Sequence, residues 1–125
     1  MKSYKAWFLT PIFAGACSIS VHAQEAPVQA CEHLAANLGL EAAAITAAAP
    51  VAAGQFIPPN GAQALAGLPE FCRVELTITP TPDSDIKAEI WLPLNEWNGK
   101  FLTAGNGAWG GSIQYQALAD GLLRN

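Results

Sequence analysis

The chain has 125 residues, of which 51% are hydrophobic and 13% charged, and its ten Asp and Glu outnumber its six Lys and Arg. This length accommodates one modest domain, because domains typically run to roughly 100–200 residues. The net charge of −4 and the scattered cations argue against nucleic acid and anionic membranes as partners, since phosphate binding needs clustered Lys and Arg.

The first 23 residues have the features of a secretory signal peptide. Two lysines open the chain, residues 6–21 are mostly apolar, and Val21-His22-Ala23 matches a small-x-small cleavage pattern. We predict cleavage after Ala23, a secreted or periplasmic protein, and no membrane association once the signal is removed. A competing interpretation makes Cys17 the attachment site of a lipoprotein.

Removal of the signal would leave two cysteines, Cys31 and Cys72. Disulfides persist in oxidising compartments, so this even pair predicts one bond. Closing a loop of about 40 residues stabilises a fold by roughly 4 kcal/mol in the chain-entropy model. Two free buried thiols are the alternative.

The beginning of the mature chain is predicted to be partly helical. After a leader at residues 24–29, apolar residues at helical spacing predict a short helix that ends at Gly39. Its apolar positions are Cys31, Leu34, Ala35 and Leu38. Residues 41–53 are rich in alanine, which favours helix, but Pro50 and Gly54 limit its length, so a mixed conformation is predicted there. Residues 55–67 are predicted to be a surface connection.

Two later segments alternate apolar and polar residues with the period of half-buried strands. The first covers residues 72–79 and the second covers residues 86–92. Residues 80–85 between them are dense in Pro, Asp and Ser, which form turns, so the sequence predicts an antiparallel hairpin. In this hairpin we expect Glu75 and Lys87 to face each other.

The last part of the chain combines a strand, a glycine-rich loop and a helix. Residues 100–104 are predicted as a third strand, and four glycines within residues 105–111 indicate positive φ or a close approach to another group. Ser112 is predicted to cap the helix. The apolar stripe of that helix consists of Tyr115, Leu118, Ala119 and Leu122.

The glycine-rich loop has three competing interpretations. Gly105, Gly107 and Gly110 have the spacing of a dinucleotide-binding fingerprint, but that fingerprint opens a parallel βαβ unit, whereas an antiparallel hairpin precedes this loop. A plain tight turn also explains the composition. The third interpretation is the oxyanion loop of an α/β-hydrolase, in which the loop after the third strand donates a backbone N–H to the substrate.

Other catalytic groups are scarce after residue 23. The serines there are Ser84 and Ser112, neither of which lies in a Gly-x-Ser-x-Gly elbow, and the one histidine is His33. A triad built from Ser112 and His33 is an alternative, because triads are spatial. Apart from the turn at Asp83 and Asp85, no residues have metal-ligand spacing, so we predict no metal and no cofactor in this chain.

Four separate motifs follow one another between residues 71 and 111. They are Phe71-Cys72-Arg73-Val74, Ile86-Lys87-Ala88-Glu89-Ile90-Trp91-Leu92-Pro93, Trp97-Asn98-Gly99-Lys100-Phe101 and Gly105-Asn106-Gly107-Ala108-Trp109-Gly110-Gly111. In this order they resemble the N-terminal part of the tannase and feruloyl esterase family. The resemblance covers residues 31–125 and implies that residues 24–125 are the incomplete N-terminal portion of an α/β-hydrolase domain.

The resemblance also implies a function and a site. Members of the family are secreted or periplasmic serine carboxylesterases that hydrolyse esters of aromatic acids, such as galloyl and feruloyl esters. They have an inserted lid domain that often holds calcium. The family's backbone oxyanion loop matches Gly105, Asn106, Gly107 and Ala108, where relatives commonly read Gly-Asn-Gly-Gly. In the family, the cysteine matching Cys31 bonds to the one matching Cys72.

Length is the main departure from that family. Its nucleophilic serine, acid and histidine lie downstream of the residue that matches Asn125. We therefore expect these 125 residues to be either a fragment of a longer protein or the product of a truncated gene, and in both cases to lack esterase activity of their own. Any calcium would belong to the absent lid. A different hypothesis is a small secreted binding module, stapled by its disulfide, whose exposed Trp91, Trp97 and Trp109 stack on sugars or aromatic ligands.

Overall fold

The structure is a computed structural model, and it describes residues 26–59, 61 and 63–124. The predicted signal peptide at residues 1–23, including Cys17, lies outside these residues. The described elements are α1 (Pro27–Glu32), α2 (Leu34–Asn37), β1 (Ala43–Val51), β2 (Phe71–Ile78), β3 (Ile86–Pro93) and α3 (Tyr115–Leu122).

The hairpin predicted from the alternating residues is confirmed as β2 and β3, which pair antiparallel. Their seven-residue connection fixes a register in which Lys87 lies opposite Thr77 and Glu75 lies opposite Glu89. The predicted facing of Glu75 and Lys87 is therefore wrong by two residues. The ammonium of Lys87 instead donates to the hydroxyl of Thr77 at 3.0 Å and pairs with Asp85 at 2.6 Å.

A strand, β1, replaces the mixed conformation predicted for residues 41–53. It pairs antiparallel with β2 on the side away from β3, and a bulge interrupts the register at Thr46. Alanine favours helix, but pairing with β2 satisfies the backbone groups on the inner side of these nine residues and packs Ile45 and Ala48 against a buried cluster that contains Val74. Tertiary contacts thus override a weak local propensity. Pro50 is tolerated because β1 is an edge strand.

The third strand predicted at residues 100–104 does not form. Within the described residues the sheet has the order β1-β2-β3, and residues 100–106 are irregular. Leu102 lies against α3 so closely that a Cβ added to Gly121 would be 3.1 Å from its Cδ2. Residues 100–104 thus lie along α3 and form no hydrogen-bond ladder with β3. Their strand-like sequence therefore does not give a strand.

The first predicted helix is divided at His33 into α1 and α2, and α2 ends two residues before Gly39. Cys31 is buried as predicted. Its sulfur is bonded to that of Cys72, with Cα atoms 5.7 Å apart, so the predicted disulfide is present. The bond fastens α1 to the central strand of the sheet.

Side chains of the sheet alternate between two faces, and each face has a core of its own. One core lies beneath α1 and α2 and consists of Cys31, Cys72, Val74 and Leu76. The other lies beneath α3 and consists of Phe56, Leu68, Phe71, Trp91, Ala119 and Leu122. The predicted stripe of α3 is confirmed, since Ala119 and Leu122 are buried and Tyr115 and Leu118 pack beside them. The molecule is thus a three-stranded antiparallel sheet between helices.

Candidate functional site

The glycine-rich loop at residues 105–111 leads through three further residues into α3, and all seven of its residues are exposed. Its backbone is left-handed at Ala108, with φ 51°, and at Gly111, with φ 57°. The expectation of positive φ or a close approach is therefore confirmed by the φ of Gly111 and by the surroundings of Gly110, whereas Gly105 and Gly107 show neither. Gly110 has a different reason to be glycine, because a Cβ there would lie 3.3 Å from the carbonyl oxygen of Gly107.

The side chain of Asn106 closes the loop at its base. Its Oδ1 accepts hydrogen bonds from the backbone N–H of Ser112 at 3.1 Å, from the hydroxyl of Ser112 at 3.4 Å and from the amide of Gln114 at 3.1 Å. Within the loop, the N–H of Gly110 donates to the carbonyl of Gly107 at 3.3 Å. These bonds hold Ala108 in a conformation that costs an L-residue roughly 1–2 kcal/mol.

The predicted cap at Ser112 is wrong. The residue that precedes α3 is Gln114, and its side chain makes no capping bond. The hydroxyl of Ser112 is instead directed to Asn106. The structural role of Asn106 was missed from the sequence, although an asparagine beside glycines is a known signal for side-chain bonds to nearby backbone.

A cluster around Glu89 lies on the same face of the sheet as α3. The carboxylate of Glu89 accepts bonds from Arg73 Nε at 2.9 Å, Arg73 Nη2 at 2.5 Å, Trp91 Nε1 at 3.1 Å and the hydroxyl of Tyr115 at 3.1 Å. These residues come from β2, β3 and the first turn of α3. The cluster therefore ties the start of α3 to the two strands beneath it.

The contacts of this cluster shift the pKa values of its three titratable side chains. Burial raises the pKa of Glu89, but the bonds and positive charge of Arg73, with the bonds from Trp91 and Tyr115, outweigh burial and leave that pKa below its ordinary value. The bond to Glu89 likewise raises the pKa of Arg73, against the opposing effect of burial. Burial, and then the negative charge of Glu89, raise the pKa of the Tyr115 phenol. Near neutral pH, Tyr115 is thus a neutral donor to an ionised carboxylate.

A groove of about 860 Å³ runs beside β3. Its walls are β3, residues 97–106 and α3, and Gly105 and Asn106 lie among its lining residues. Phe101 and Leu102 in this wall are exposed by 75% and 53%. The predicted oxyanion loop therefore borders an open, largely apolar groove.

The structure does not bring the other candidate catalytic residues together. Ser84 lies in the turn between β2 and β3, where it bonds to Thr81. His33 lies between α1 and α2, in the layer on the opposite face of the sheet from Ser112 and α3. The alternative triad of Ser112 and His33 is therefore contradicted by the fold.

Among residues 26–59, 61 and 63–124, no group of three or more His, Cys, Asp or Glu is arranged to hold a metal ion. No helix in this part of the chain has the length and apolar character needed to cross a bilayer.

The tryptophans differ in their surroundings. Trp91 is buried and stacks on Phe71 at 4.5 Å between ring centroids, so its predicted exposure, on which the binding-module hypothesis drew, is wrong. Trp97 is 65% exposed and its indole N–H donates to the carbonyl of Lys100 at 2.9 Å. Trp109, at the tip of the glycine-rich loop, is fully exposed.

Comparison with known proteins gives no match to a family model. Among individual proteins, the chain is 41% identical over 95 residues to an uncharacterized esterase of Xanthomonas campestris pv. campestris, an alignment that covers 76% of this chain and 16% of the relative. It is 45% identical over 49 residues to a probable feruloyl esterase B-1 of Aspergillus oryzae, covering 39% of this chain and 9% of the relative. It is 42% identical over 52 residues to feruloyl esterase C of Talaromyces stipitatus, covering 42% of this chain and 10% of the relative.

The chain thus spans about a sixth of the bacterial relative's length and about a tenth of the fungal relatives' lengths. The aligned identity is nevertheless high, between 41% and 45% in these three comparisons. Over the aligned residues, the chain is similar to proteins named as feruloyl esterases, which supports the resemblance seen in its motifs.

Proposed function

We propose that these residues are the N-terminal portion of a secreted serine carboxylesterase that hydrolyses esters of aromatic acids, of the feruloyl or galloyl type. The proposed domain has an α/β-hydrolase fold, of which the antiparallel sheet, the glycine-rich loop and α3 are the first part. The observation that carries the proposal is the relationship to proteins named as feruloyl esterases.

In this proposal the glycine-rich loop contributes one side of an oxyanion hole. Exposed backbone at Gly105 to Ala108, bent by the left-handed Ala108 and held at its base by Asn106, supports such a role. Amides that are fixed before the reaction stabilise charge on the ester oxygen without reorganising, and one such donor is worth roughly 3–4 kcal/mol. The apolar groove beside the loop offers room for an aryl group.

The proposal assigns the nucleophilic serine, the acid and the catalytic histidine to a part of the protein outside these residues. It is supported by the placement of Ser112 and His33 on opposite faces of the sheet. A signal peptide at residues 1–23 and a calcium-binding lid elsewhere in the protein complete the proposal. We expect purified residues 24–125 to hydrolyse neither methyl ferulate nor methyl gallate, and turnover by them would overturn this assignment of the nucleophile.

To test the proposal, the complete open reading frame that encodes these residues is expressed, and hydrolysis of methyl ferulate and methyl gallate by the product is measured. We expect turnover of at least one ester by the wild-type product. Gly105→Pro removes a backbone N–H, and Ala108→Pro also abolishes the left-handed φ of 51°, which proline cannot adopt. Each should lower kcat, by about a hundredfold if the amide at that position is the oxyanion donor. Absence of turnover of both esters by a folded wild-type product would overturn the proposal.

A matched control separates the loop from general effects of proline. Ala66 precedes Gly67, whose φ is 77°, in an exposed turn where proline fits the first central position. Ala66→Pro should leave kcat unchanged. Equal kinetics in the control and in both loop variants would remove the loop from the active site.

A further inference from the structure

The start of α3 has an unusual means of attachment. The residue before it, Gln114, makes no side-chain capping bond, and its first turn contains no acidic residue. Helix starts are normally satisfied by a Ser, Thr, Asp or Asn side chain at this position. The position of this helix end must therefore be set by other contacts.

Tyr115, the first residue of α3, supplies those contacts. Its hydroxyl donates to Glu89 Oε1 at 3.1 Å, and its ring lies 5.5 Å from the ring of Phe56 and 6.4 Å from that of Trp91. Glu89 is itself fixed by Arg73, and its side chain is only 7% exposed. The hydroxyl of Tyr115 is thus bonded to a carboxylate that Arg73 and Trp91 also hold.

The glycine-rich loop is connected to the same point. Gln114, next to Tyr115, donates to Asn106 Oδ1 at 3.1 Å, and Asn106 also receives the N–H of Ser112. A continuous series of hydrogen bonds and one peptide link therefore runs from β3 through Glu89, Tyr115 and Gln114 to Asn106. Displacement of Tyr115 would displace the loop with it.

We infer that Tyr115, held by Glu89, is a positioning residue for the glycine-rich loop and thereby sets the direction of its backbone amides. The inference rests on the proposed function, because it gives the loop's orientation a catalytic purpose. Tyr115 is not among the residues that line the groove and acts on the loop through Gln114 and Asn106. Rigid support of this kind matters because a displacement of about 1 Å in a catalytic group lowers rates by up to a hundredfold.

Tyr115→Phe is the appropriate variant, because it keeps the ring packed on Phe56 and Trp91 and removes only the hydroxyl. In the complete esterase we expect kcat to fall by roughly tenfold with KM unchanged, since the loop acts on the transition state. Glu89→Gln, which keeps an acceptor oxygen, should retain more of kcat than Glu89→Leu. Thr81→Ala, in the exposed turn between β2 and β3, is the control and should leave kcat unchanged.

A second measurement does not depend on activity. In the 125-residue chain, amide hydrogen exchange at Ser112, whose N–H donates to Asn106, should become about tenfold faster in Tyr115→Phe. Exchange at the β1–β2 ladder should remain as in the wild type, which a general loss of stability would not allow. Unchanged exchange at Ser112, or an equal acceleration in both places, would overturn the positioning role.

The two proposals fail in different ways. An active wild-type enzyme whose kcat is unaffected by Tyr115→Phe would overturn the positioning role and leave the esterase assignment standing. A wild-type product without turnover of either ester would overturn the esterase assignment, and the exchange measurement would then decide whether Tyr115 orders the loop.

Discussion

Glu75 and Glu89 lie directly opposite each other on β2 and β3, and the guanidinium of Arg73 forms an ion pair with each, at 2.7 and 2.5 Å. Like charges at opposed positions destabilise a sheet, and Glu89 is also nearly buried. Arg73 therefore compensates two carboxylates at once. Its position on the central strand thus offsets the repulsion between Glu75 and Glu89.

Arg73→Met should destabilise the chain by about 3 kcal/mol, because it leaves a buried carboxylate without its partner. Urea unfolding of the oxidised chain measures this change. Lys87→Met is the matched control, since it removes an ion pair to Asp85 in which both side chains are more than half exposed. Such a pair is worth about 0–1 kcal/mol, and equal losses in the two variants would contradict the importance of Arg73.

Stability should fall on acidification through the titration of Glu89. The pKa of Glu89 is lower in the folded chain than its ordinary value of 4.5, so folding favours the ionised carboxylate. This contribution is fully present above the unfolded pKa and is lost as the pH falls through the lower folded pKa. Melting temperatures between pH 7 and pH 3 should therefore decrease below about pH 5.

Glu89→Gln should flatten that pH dependence while it lowers stability at pH 7. Some dependence should remain in the variant, because the bond from Thr81 lowers the pKa of Asp83 as well. A pH profile of Glu89→Gln that parallels the wild type would show that other carboxylates carry the acid sensitivity.

Ala108→Gly should stabilise the chain, by about 0.5–1 kcal/mol, because glycine adopts a φ of 51° without the steric cost that alanine has there. Thermal or urea unfolding measures the gain. The same replacement at Ala66, whose φ lies outside the left-handed region, should instead destabilise by about 0.4–1 kcal/mol through the entropy of the unfolded chain. Changes of the same sign at both positions would contradict the strain at Ala108.

Loss of the disulfide should reduce stability by about 4 kcal/mol, given its sequence separation of 41 residues. Replacement of both Cys31 and Cys72 by serine, or reduction of the wild type, should therefore lower the melting temperature markedly. Addition of reductant to the double variant is the control and should change nothing. An unaltered melting temperature on reduction of the wild type would contradict the predicted contribution of the disulfide between α1 and β2.

The parts of the fold that sequence reasoning predicts are those with strong local patterns. Alternation gives β2 and β3, the spacing of Tyr115, Leu118, Ala119 and Leu122 gives α3, and the cysteine pair gives the disulfide. β1 is missed because alanine has little strand preference and Ala43–Val51 becomes a strand only through pairing with β2. Residues 100–104 are misassigned because their local pattern is that of a strand, but Leu102 packs against α3 and the segment pairs with no described strand.

The site is less predictable than the fold. Glycine content correctly marks the loop, but the left-handed bend is at Ala108, and the contacts that hold it come from Asn106. The Glu89 cluster depends on the register of β2 and β3 and on the placement of α3 over them. Had the hairpin register been set from its turn, Arg73, Glu89 and Trp91 would have been recognised as neighbours, whereas the approach of Tyr115 requires the tertiary fold.

The two edges of the sheet differ in protection. Pro50 and the packing of α1 and α2 shield β1, while β3 has no proline before Pro93 and borders the open groove. Its outer amides and carbonyls can accept another extended peptide, as exposed strand edges commonly do. We therefore expect the chain to lose monomer through pairing at this edge as its concentration rises.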